Sequence, residues 1–122
     1  MTASSTMFRL DASRALSDFR TERLLKKIRQ FVPGVATLNS RYIHFVHTAD
    51  ELSVLDMTRL KDILNYGEEC LVTHTPNKFL VVPRLGTVSP WASKATDIIH
   101  NCGLNQVLRV ERGTLYELTF KE

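Results

Sequence analysis

Apolar residues recur at helical spacing through the first quarter of the chain, at Leu24, Leu25, Ile28, Phe31 and Val32. This spacing predicts a helix with one buried face that runs toward Phe31. Either Ser13 or Ser17 can cap its start, since a serine hydroxyl accepts a free N–H of the first turn. Pro33-Gly34 predicts its end, because proline cannot continue a helix.

Strand-like segments lie on either side of this helix. Phe8-Arg9-Leu10 predicts a short first strand, and residues 38–46 predict a second. Because strand side chains alternate, Ile43 and Phe45 share one face of the second strand. The other face carries Leu38, Tyr42, His44 and Val46.

A second helix is predicted after Ser53, which forms a capping box with Asp56 in the usual glutamate position. Its expected end is Gly67, and its expected buried positions are Met57, Leu60, Ile63 and Leu64. A hairpin follows, with strands at 70–73 and 79–82 on either side of a Thr75-Pro76-Asn77 turn.

The third predicted helix begins with Ser89 as cap and Pro90 at its first position, where the missing N–H costs nothing. Gly103 ends it, and Leu104 takes the position of a helix-closing apolar contact. Helical spacing places Trp91, Ala95, Ile98 and Cys102 on its buried face. Two last strands are predicted at 107–110 and 115–120, with Gly113 in the turn between them.

The predicted order is β-α-β-α-β-β-α-β-β, in which strands come in pairs and helices intervene. That order favours an α+β fold with a mainly antiparallel sheet covered by helices. At 122 residues, with no low-complexity tract or linker, the chain predicts a single domain over residues 1–122.

Charge adds little to this picture. The net charge is +3, from 16 Lys and Arg against 13 Asp and Glu. The densest run of cations, residues 20–29, alternates with apolar residues at helical spacing. We interpret it as the solvated face of the first helix rather than a nucleic-acid surface.

The two cysteines, Cys70 and Cys102, are too sparse for a secreted disulfide scaffold. No apolar run approaches the ~20 residues that span a bilayer, and residues 1–6 lack the pattern of a signal peptide. These features predict a cytoplasmic protein.

No catalytic constellation and no metal site are predicted. His44 and His47 are three residues apart on a strand, so their rings point to opposite faces. His100 and Cys102 are separated by about 200° around a helix and cannot share an ion. The sequence has no nucleophile elbow and no glycine-rich phosphate loop. We therefore expect no catalytic residue and no cofactor in this chain alone.

One segment, residues 83–97, concentrates hydroxyls and cations around a helix start. A helix N-terminus offers unpaired N–H groups to an anion. The candidate binding or inter-domain residues are Arg84, Thr87, Ser89, Trp91, Ser93, Lys94 and Asp97. The alternative is that Ser89 only caps the helix and that Arg84 and Lys94 are solvated.

The same segment carries a specific resemblance. Its matching residues are Pro83-Arg84, Gly86-Thr87, Ser89-Pro90-Trp91, Ser93-Lys94-Ala95-Thr96-Asp97-Ile98 and Asn101-Cys102-Gly103-Leu104, then Val107, Arg109 and Glu111-Arg112-Gly113. Weaker matches are Ala15-Leu16-Ser17, Phe19-Arg20, Tyr42, His44-Phe45 and Tyr66-Gly67. Together they resemble the start of large, single-chain phosphoribosylformylglycinamidine synthases. Leu85 departs from the pattern, which more often has proline there.

The resemblance implies a PurS-like fold and a place within a longer enzyme. Such enzymes use ATP, Mg²⁺ and glutamine to make formylglycinamidine ribonucleotide in purine biosynthesis. Their PurS-like domain bridges the synthetase and glutaminase domains of the same chain and helps shape the ammonia path. The resemblance implies that this chain is catalytically silent alone, that Cys102 is not the glutaminase nucleophile, and that the isolated chain can self-associate.

A second hypothesis stays open beside this one. It is a stand-alone phosphate- or nucleotide-binding regulatory domain that uses residues 84–94. Neither hypothesis involves nucleic acid or a membrane.

Overall fold

The structure, a computed structural model, describes residues 6–67, 75–84 and 87–121. Its elements are β1 (Thr6–Arg14), α1 (Asp18–Phe31), β2 (Val35–Thr48), α2 (Val54–Leu64), β3 (Lys78–Val81), α3 (Pro90–Asn101) and β4 (Val107–Phe120). The described strands form one sheet in the order β1-β2-β4-β3, and every neighbouring pair is antiparallel. The predicted α+β class, with a largely antiparallel sheet, is confirmed.

Serine begins each of the three helices. The hydroxyls of Ser17, Ser53 and Ser89 accept the N–H three residues on, which satisfies one of the free donors of the first turn. Ser17 rather than Ser13 is the cap of α1. Pro90 occupies the first turn of α3, as the sequence predicts.

The end of α3 is a Schellman motif. Gly103 has a φ of 88°, its N–H donates to His100 O at 2.9 Å, and the Leu104 N–H donates to Ile99 O at 3.2 Å. Leu104 is fully buried in the main apolar cluster. Its predicted helix-closing role is therefore confirmed.

The helices cover one face of the sheet in two separate places. At one end α1 packs through Leu25 against Leu38 of β2. At the other end α2 and α3 pack against Val46 of β2 and Val110 of β4. Between Leu38 and Val46 lie Tyr42 and His44, so polar aromatic side chains occupy the gap between the two apolar clusters.

The opposite face of the sheet is buried at its centre. Ile43 is fully buried there, and Arg41 forms a buried ion pair with Glu117 of β4. Arg41 pairs with Leu115 and Glu117 pairs with Asn39, so the two charges are diagonal neighbours on one face.

Several predicted boundaries are wrong. The two predicted C-terminal strands are one continuous strand, β4, with Gly113 in its interior. A Cβ on Gly113 would lie 3.0 Å from Val81 O and 3.1 Å from Val82 Cγ1, so the glycine allows a close approach and makes no turn. In addition, α2 ends at Leu64, three residues before Gly67, which has a φ of 86°. The predicted strand at 70–73 lies outside the described residues.

The predicted buried face of α3 is also wrong. Ala92 and Ile99 are its fully buried residues, whereas Ile98 is 53% exposed. Trp91, Ala95 and Cys102 are half-buried. The face of α3 that meets the sheet is instead that of Ala92, Thr96 and Ile99, at positions i, i+4 and i+7, where Thr96 Oγ1 accepts the Val110 N–H of β4 at 3.3 Å.

Corrections of the same kind apply to the other two helices. Phe31 is 85% exposed and Val32 is 44% exposed, since the apolar cluster under α1 reaches only from Leu24 to Ile28. In α2, Leu60 and Leu64 are buried as predicted, while Met57 and Ile63 are half-buried.

Candidate functional site

Five side chains from four parts of the chain meet in the gap between the two apolar clusters. We call Tyr42, His44, Tyr66, Trp91 and Arg112 the aromatic–arginine cluster. His44 of β2 is directly opposite Arg112 of β4 in the sheet register. Tyr66 follows α2, and Trp91 lies in the first turn of α3.

Arg112 is held between aromatic rings. Its guanidinium carbon lies 4.1 Å from the ring centre of Tyr42 and 4.7 Å from that of Trp91. Its Nη1 donates to the Tyr66 hydroxyl at 3.2 Å. Contact with two ring faces stabilises a cation and fixes its orientation. Within the described residues, Arg112 forms no ion pair with a carboxylate.

His44 lies on β2, beneath the rings of Trp91 and Tyr66. It is fully buried, its ring stacks on Trp91 with centres 5.4 Å apart, and its Nε2 lies 2.8 Å from the Tyr66 hydroxyl. Burial, with the nearby Arg112 charge, lowers the pKa of His44 from 6.5 to about 4. His44 is therefore neutral at neutral pH.

Tyr66 is neutral for a related reason. Burial raises the pKa of its hydroxyl, although the hydrogen bond and charge of Arg112 act in the opposite direction. With His44 and Tyr66 both neutral, the cluster carries the single positive charge of Arg112.

A bulge in β1 positions Tyr66. The pairing of β1 with β2 shifts between Asp11 and Arg14, and Ser13 is buried within that bulge. The Ser13 hydroxyl donates to the Tyr66 carbonyl oxygen. The β1 edge thereby holds the short segment after α2 and keeps the Tyr66 ring over the sheet.

The N-terminus of α3 holds a carboxylate of the chain itself. Glu111 Oε1 accepts the Ser89 hydroxyl at 2.8 Å and the Arg112 N–H at 2.9 Å. Its Oε2 lies 3.1 Å from Arg109 Nη2 and 3.5 Å from the Ser89 nitrogen. Burial acts to raise the pKa of Glu111, but these hydrogen bonds outweigh it and the pKa is lowered. An internal anion thus occupies the position where the sequence suggested an external one.

The candidate residues of the 84–97 segment fall into three groups. The first group is Arg84, Thr87 and Ser89. Thr87 Oγ1 donates to Arg84 O at 2.6 Å, and Arg109 Nη2 donates to Thr87 O at 2.9 Å. Because Arg109 also contacts Glu111, it links Thr87 to the Ser89–Glu111 contact. Trp91 and Lys94 lie beside Arg112. The remaining two, Ser93 and Asp97, lie on the exposed side of α3.

Sequence reasoning placed Trp91 in the candidate set but left out its four partners in the cluster. The sequence places Tyr42 and His44 on one face of a predicted strand and argues against a metal site at His44, whereas Tyr66 and Arg112 stand out only as matches to a family pattern. A signal for Tyr42 and His44 existed in the strand alternation, which puts them on one face. Arg112 contacts that face, but its position there could not be predicted without the register of β2 with β4.

Trp91 and Arg112 separate two surface clefts. The first, which we call the α2–α3 groove, has a volume of about 420 Å³. Its walls are mainly apolar, and Arg112 and Lys94 supply its cations; the apolar and aromatic residues are Ile63, Leu64, Tyr66, Trp91, Ala95 and Ile98. The second cleft, of about 410 Å³, lies toward β3 and includes Tyr42, Pro83 and Thr114.

The described residues contain no group of three or more His, Cys, Asp or Glu side chains placed to hold a metal ion. Cys102 is a free, half-buried thiol at the C-cap of α3. None of the helices in the described parts of the chain has the length and apolar character needed to cross a membrane.

The chain matches the model of a known protein family over most of its length. The model of the family described as formylglycinamide ribonucleotide amidotransferase N-terminal matches residues 41–122. The matched range is more than half of the chain and contains all five residues of the aromatic–arginine cluster, both clefts beside Trp91, and the 84–97 segment.

Proposed function

Because this chain belongs to the formylglycinamide ribonucleotide amidotransferase N-terminal family, we propose that it acts as the PurS-like domain of a phosphoribosylformylglycinamidine synthase. In this proposal the parent enzyme is a cytoplasmic ligase of purine biosynthesis. It uses ATP with Mg²⁺, takes nitrogen from glutamine, and carries the synthetase and glutaminase active sites in other domains of the same chain.

One observation carries the proposal beyond family membership. Residues that match the family pattern are far apart in sequence, at Tyr42, His44, Tyr66, Trp91 and Arg112, yet they form one contacting cluster. Four of its members, Tyr42, Tyr66, Trp91 and Arg112, line two open clefts, while His44 is buried beneath them. A purely structural role for these residues would not require them to line a surface.

The proposed role is to bridge the synthetase and glutaminase domains and to help shape the path of ammonia between them. A domain with this role needs rigid surface features rather than catalytic groups. The aromatic–arginine cluster fits that need, because stacking and hydrogen bonding fix each of its rings. The isolated chain is accordingly proposed to be catalytically silent.

The test is a comparison of nitrogen sources in the parent enzyme with Trp91→Ala. Ligation with glutamine should fall about tenfold, which corresponds to ~1.4 kcal/mol of transition-state stabilisation. Ligation with added ammonium should change little, since free ammonia does not need the path. Phe19→Ala is the matched control, because Phe19 is an aromatic residue that is 70% exposed on α1.

The outcome that contradicts the bridging role is an equal loss with both nitrogen sources, or no loss with either. A separate arm uses the purified 122-residue chain, which should hydrolyse neither ATP nor glutamine. Turnover that persists through re-purification would contradict the proposed silence of the chain.

A further inference from the structure

We propose that the α2–α3 groove docks a protein segment that carries a carboxylate side chain flanked by apolar residues, with Arg112 as the carboxylate receptor. This inference takes from the proposed function only that another domain lies against this one. It adds the chemistry of the partner and the residues that recognise it.

Arg112 gives the α2–α3 groove a positive charge. Arg112 is a half-buried cation whose neighbours in the cluster, His44 and Tyr66, are neutral at pH 7. The adjacent carboxylate, Glu111, is engaged by Ser89, Arg109 and the Arg112 backbone N–H, and not by the Arg112 guanidinium. Among the residues that the structure describes, Arg112 therefore has no carboxylate partner at the wall of the groove, where an anion would be stabilised.

The geometry of the Arg112 guanidinium suits a carboxylate. The rings of Tyr42 and Trp91 contact the guanidinium, and Nη1 already donates to Tyr66. Its other N–H groups have no hydrogen-bond partner among the residues that the structure describes, and they project in the guanidinium plane. A planar fork of N–H donors matches a carboxylate, which it can bind with two parallel hydrogen bonds.

The walls of the α2–α3 groove are mainly apolar. Ile63, Ala95 and Ile98 line the groove, and Ile98 is 53% exposed although it is a large apolar residue. Such walls fit apolar side chains on either side of the carboxylate. Lys94 is exposed at the same groove and supplies a second, solvated cation.

The same walls disfavour a phosphate or nucleotide ligand. Among the described residues, no serine or threonine lines the α2–α3 groove, and Glu111 lies at the N-terminus of α3. The ring of Trp91 already contacts both His44 and Arg112, so it offers little surface for a base to stack on. The observations therefore favour an acidic protein segment.

The chain provides its own reporter for the test, because Trp91 is its one tryptophan and lies in the groove. Trp91 fluorescence is titrated with the capped peptide acetyl-Leu-Glu-Leu-amide and with acetyl-Leu-Gln-Leu-amide. The affinity for the glutamate peptide should exceed that for the glutamine peptide by at least about tenfold. Inorganic phosphate and ATP are titrated in parallel at the same ionic strength.

Variants locate the binding. Arg112→Gln should remove the preference for the glutamate peptide, and Lys94→Gln should weaken binding by only about twofold to threefold, as expected of an exposed charge. Lys27→Gln is the control: it removes an exposed cation of α1 that does not line the groove, so the preference should persist. Circular dichroism establishes whether each variant is folded.

Two results would overturn the proposal. One is equal affinity of the folded wild-type chain for the two peptides, a comparison that needs no variant. The other is a response to phosphate or ATP at lower concentration than to the glutamate peptide, which would make the groove a phosphate site. Should Arg112→Gln fail to fold, Arg112→Lys keeps the charge without the planar fork and should still lose most of the preference. Neither overturning result affects the nitrogen-source comparison, so failure of this inference is distinguishable from failure of the proposed function.

Discussion

Ser89 and Glu111 join the start of α3 to β4 through one hydroxyl: Ser89 Oγ donates to Glu111 Oε1 at 2.8 Å and accepts the Ala92 N–H at 3.0 Å. One serine thus caps a helix and anchors a carboxylate at the positive end of that helix. The arrangement fixes Trp91, two residues on, against Arg112. It also makes the local structure depend on the charge of Glu111.

We predict that Glu111→Gln lowers the free energy of unfolding by about 1.5–3 kcal/mol at pH 7, the usual range for hydrogen bonds to a charged group. Because the folded pKa of Glu111 is lowered from 4.5, its contribution is present above that value and is lost as pH falls through the folded pKa. Urea denaturation at pH 7 and pH 3 checks this. The wild type and the variant should differ at pH 7 and converge in acid; a difference that is constant with pH would contradict the role of the charge.

His44 predicts a loss of stability in the same direction, as pH falls, but in a higher pH range. Its pKa is about 4 in the folded chain against 6.5 for an ordinary histidine, so the unfolded chain takes up the proton first. The stability that this group contributes is complete above pH 6.5 and falls as pH drops toward 4, by up to about 3 kcal/mol. Denaturation midpoints measured between pH 7.5 and 4.5 should show this slope.

The variant His44→Gln should flatten that slope because glutamine does not titrate. His47→Gln is the matched control on the same strand, since it leaves His44 and its contribution in place. An NMR titration in which the His44 ring takes up its proton near pH 6.5 would contradict the assignment of the effect to burial.

The sequence predicts the starts of the helices and the end of α3 well, because a single residue type decides each of them. Ser17, Ser53 and Ser89 begin the helices, and Gly103 with Leu104 ends α3. Each of these signals acts within four residues and needs no tertiary contact. Buried faces were predicted less well, because they depend on where a helix meets the sheet.

Ile98 and Ile99 make that difference measurable. They are neighbours of the same type on α3, but Ile99 is fully buried in the main apolar cluster and Ile98 is 53% exposed. Ile99→Ala should lower the free energy of unfolding by about 2–5 kcal/mol through the cavity it leaves. Ile98→Ala, the matched control, should cost about 1 kcal/mol or less. Equal costs in urea denaturation would mean that the register of α3 is wrong.

Gly113 gives a second case in which tertiary contact overrides a local signal. Its position suggested a turn, yet it lies inside β4 with Val81 O only 3.0 Å from where a Cβ would be. Because that oxygen belongs to the backbone, Gly113→Ala should lower the free energy of unfolding by about 1–3 kcal/mol through steric strain. Gly34→Ala is the control, since nothing lies within 4 Å of its added Cβ. A thermal melt of Gly113→Ala that matches the wild type would contradict the close approach.

The candidate site was predictable only in part, for the same physical reason. Trp91, Lys94 and Ser89 are within six residues of one another, and the crowding of such residues at a helix start is visible in the sequence. Arg112 is 21 residues beyond Trp91, and its role arises because β4 is paired with β2 so that Arg112 faces His44. The role of Glu111, which fills the expected anion position, could not be predicted either, because it depends on the same long-range pairing.

The last prediction concerns the exposed cations of the 84–97 segment in the parent enzyme. Arg84 and Lys94 are both exposed, and they lie on either side of the α3 N-terminus, whose own anion position is filled by Glu111. We expect this segment to face the synthetase active site, where the substrate and ATP carry phosphates that attract cations. Arg84→Ala or Lys94→Ala should then lower kcat/KM for ligation about tenfold, or by ~1.4 kcal/mol. Glutamine hydrolysis measured alone should change less, because the proposed function assigns that reaction to another domain. Lys27→Ala, which removes an exposed cation from α1, is the matched control and should alter neither rate. Unchanged ligation in folded Arg84→Ala and Lys94→Ala would limit the segment to capping α3, whereas an equal loss of both reactions would indicate a general effect on folding of the enzyme.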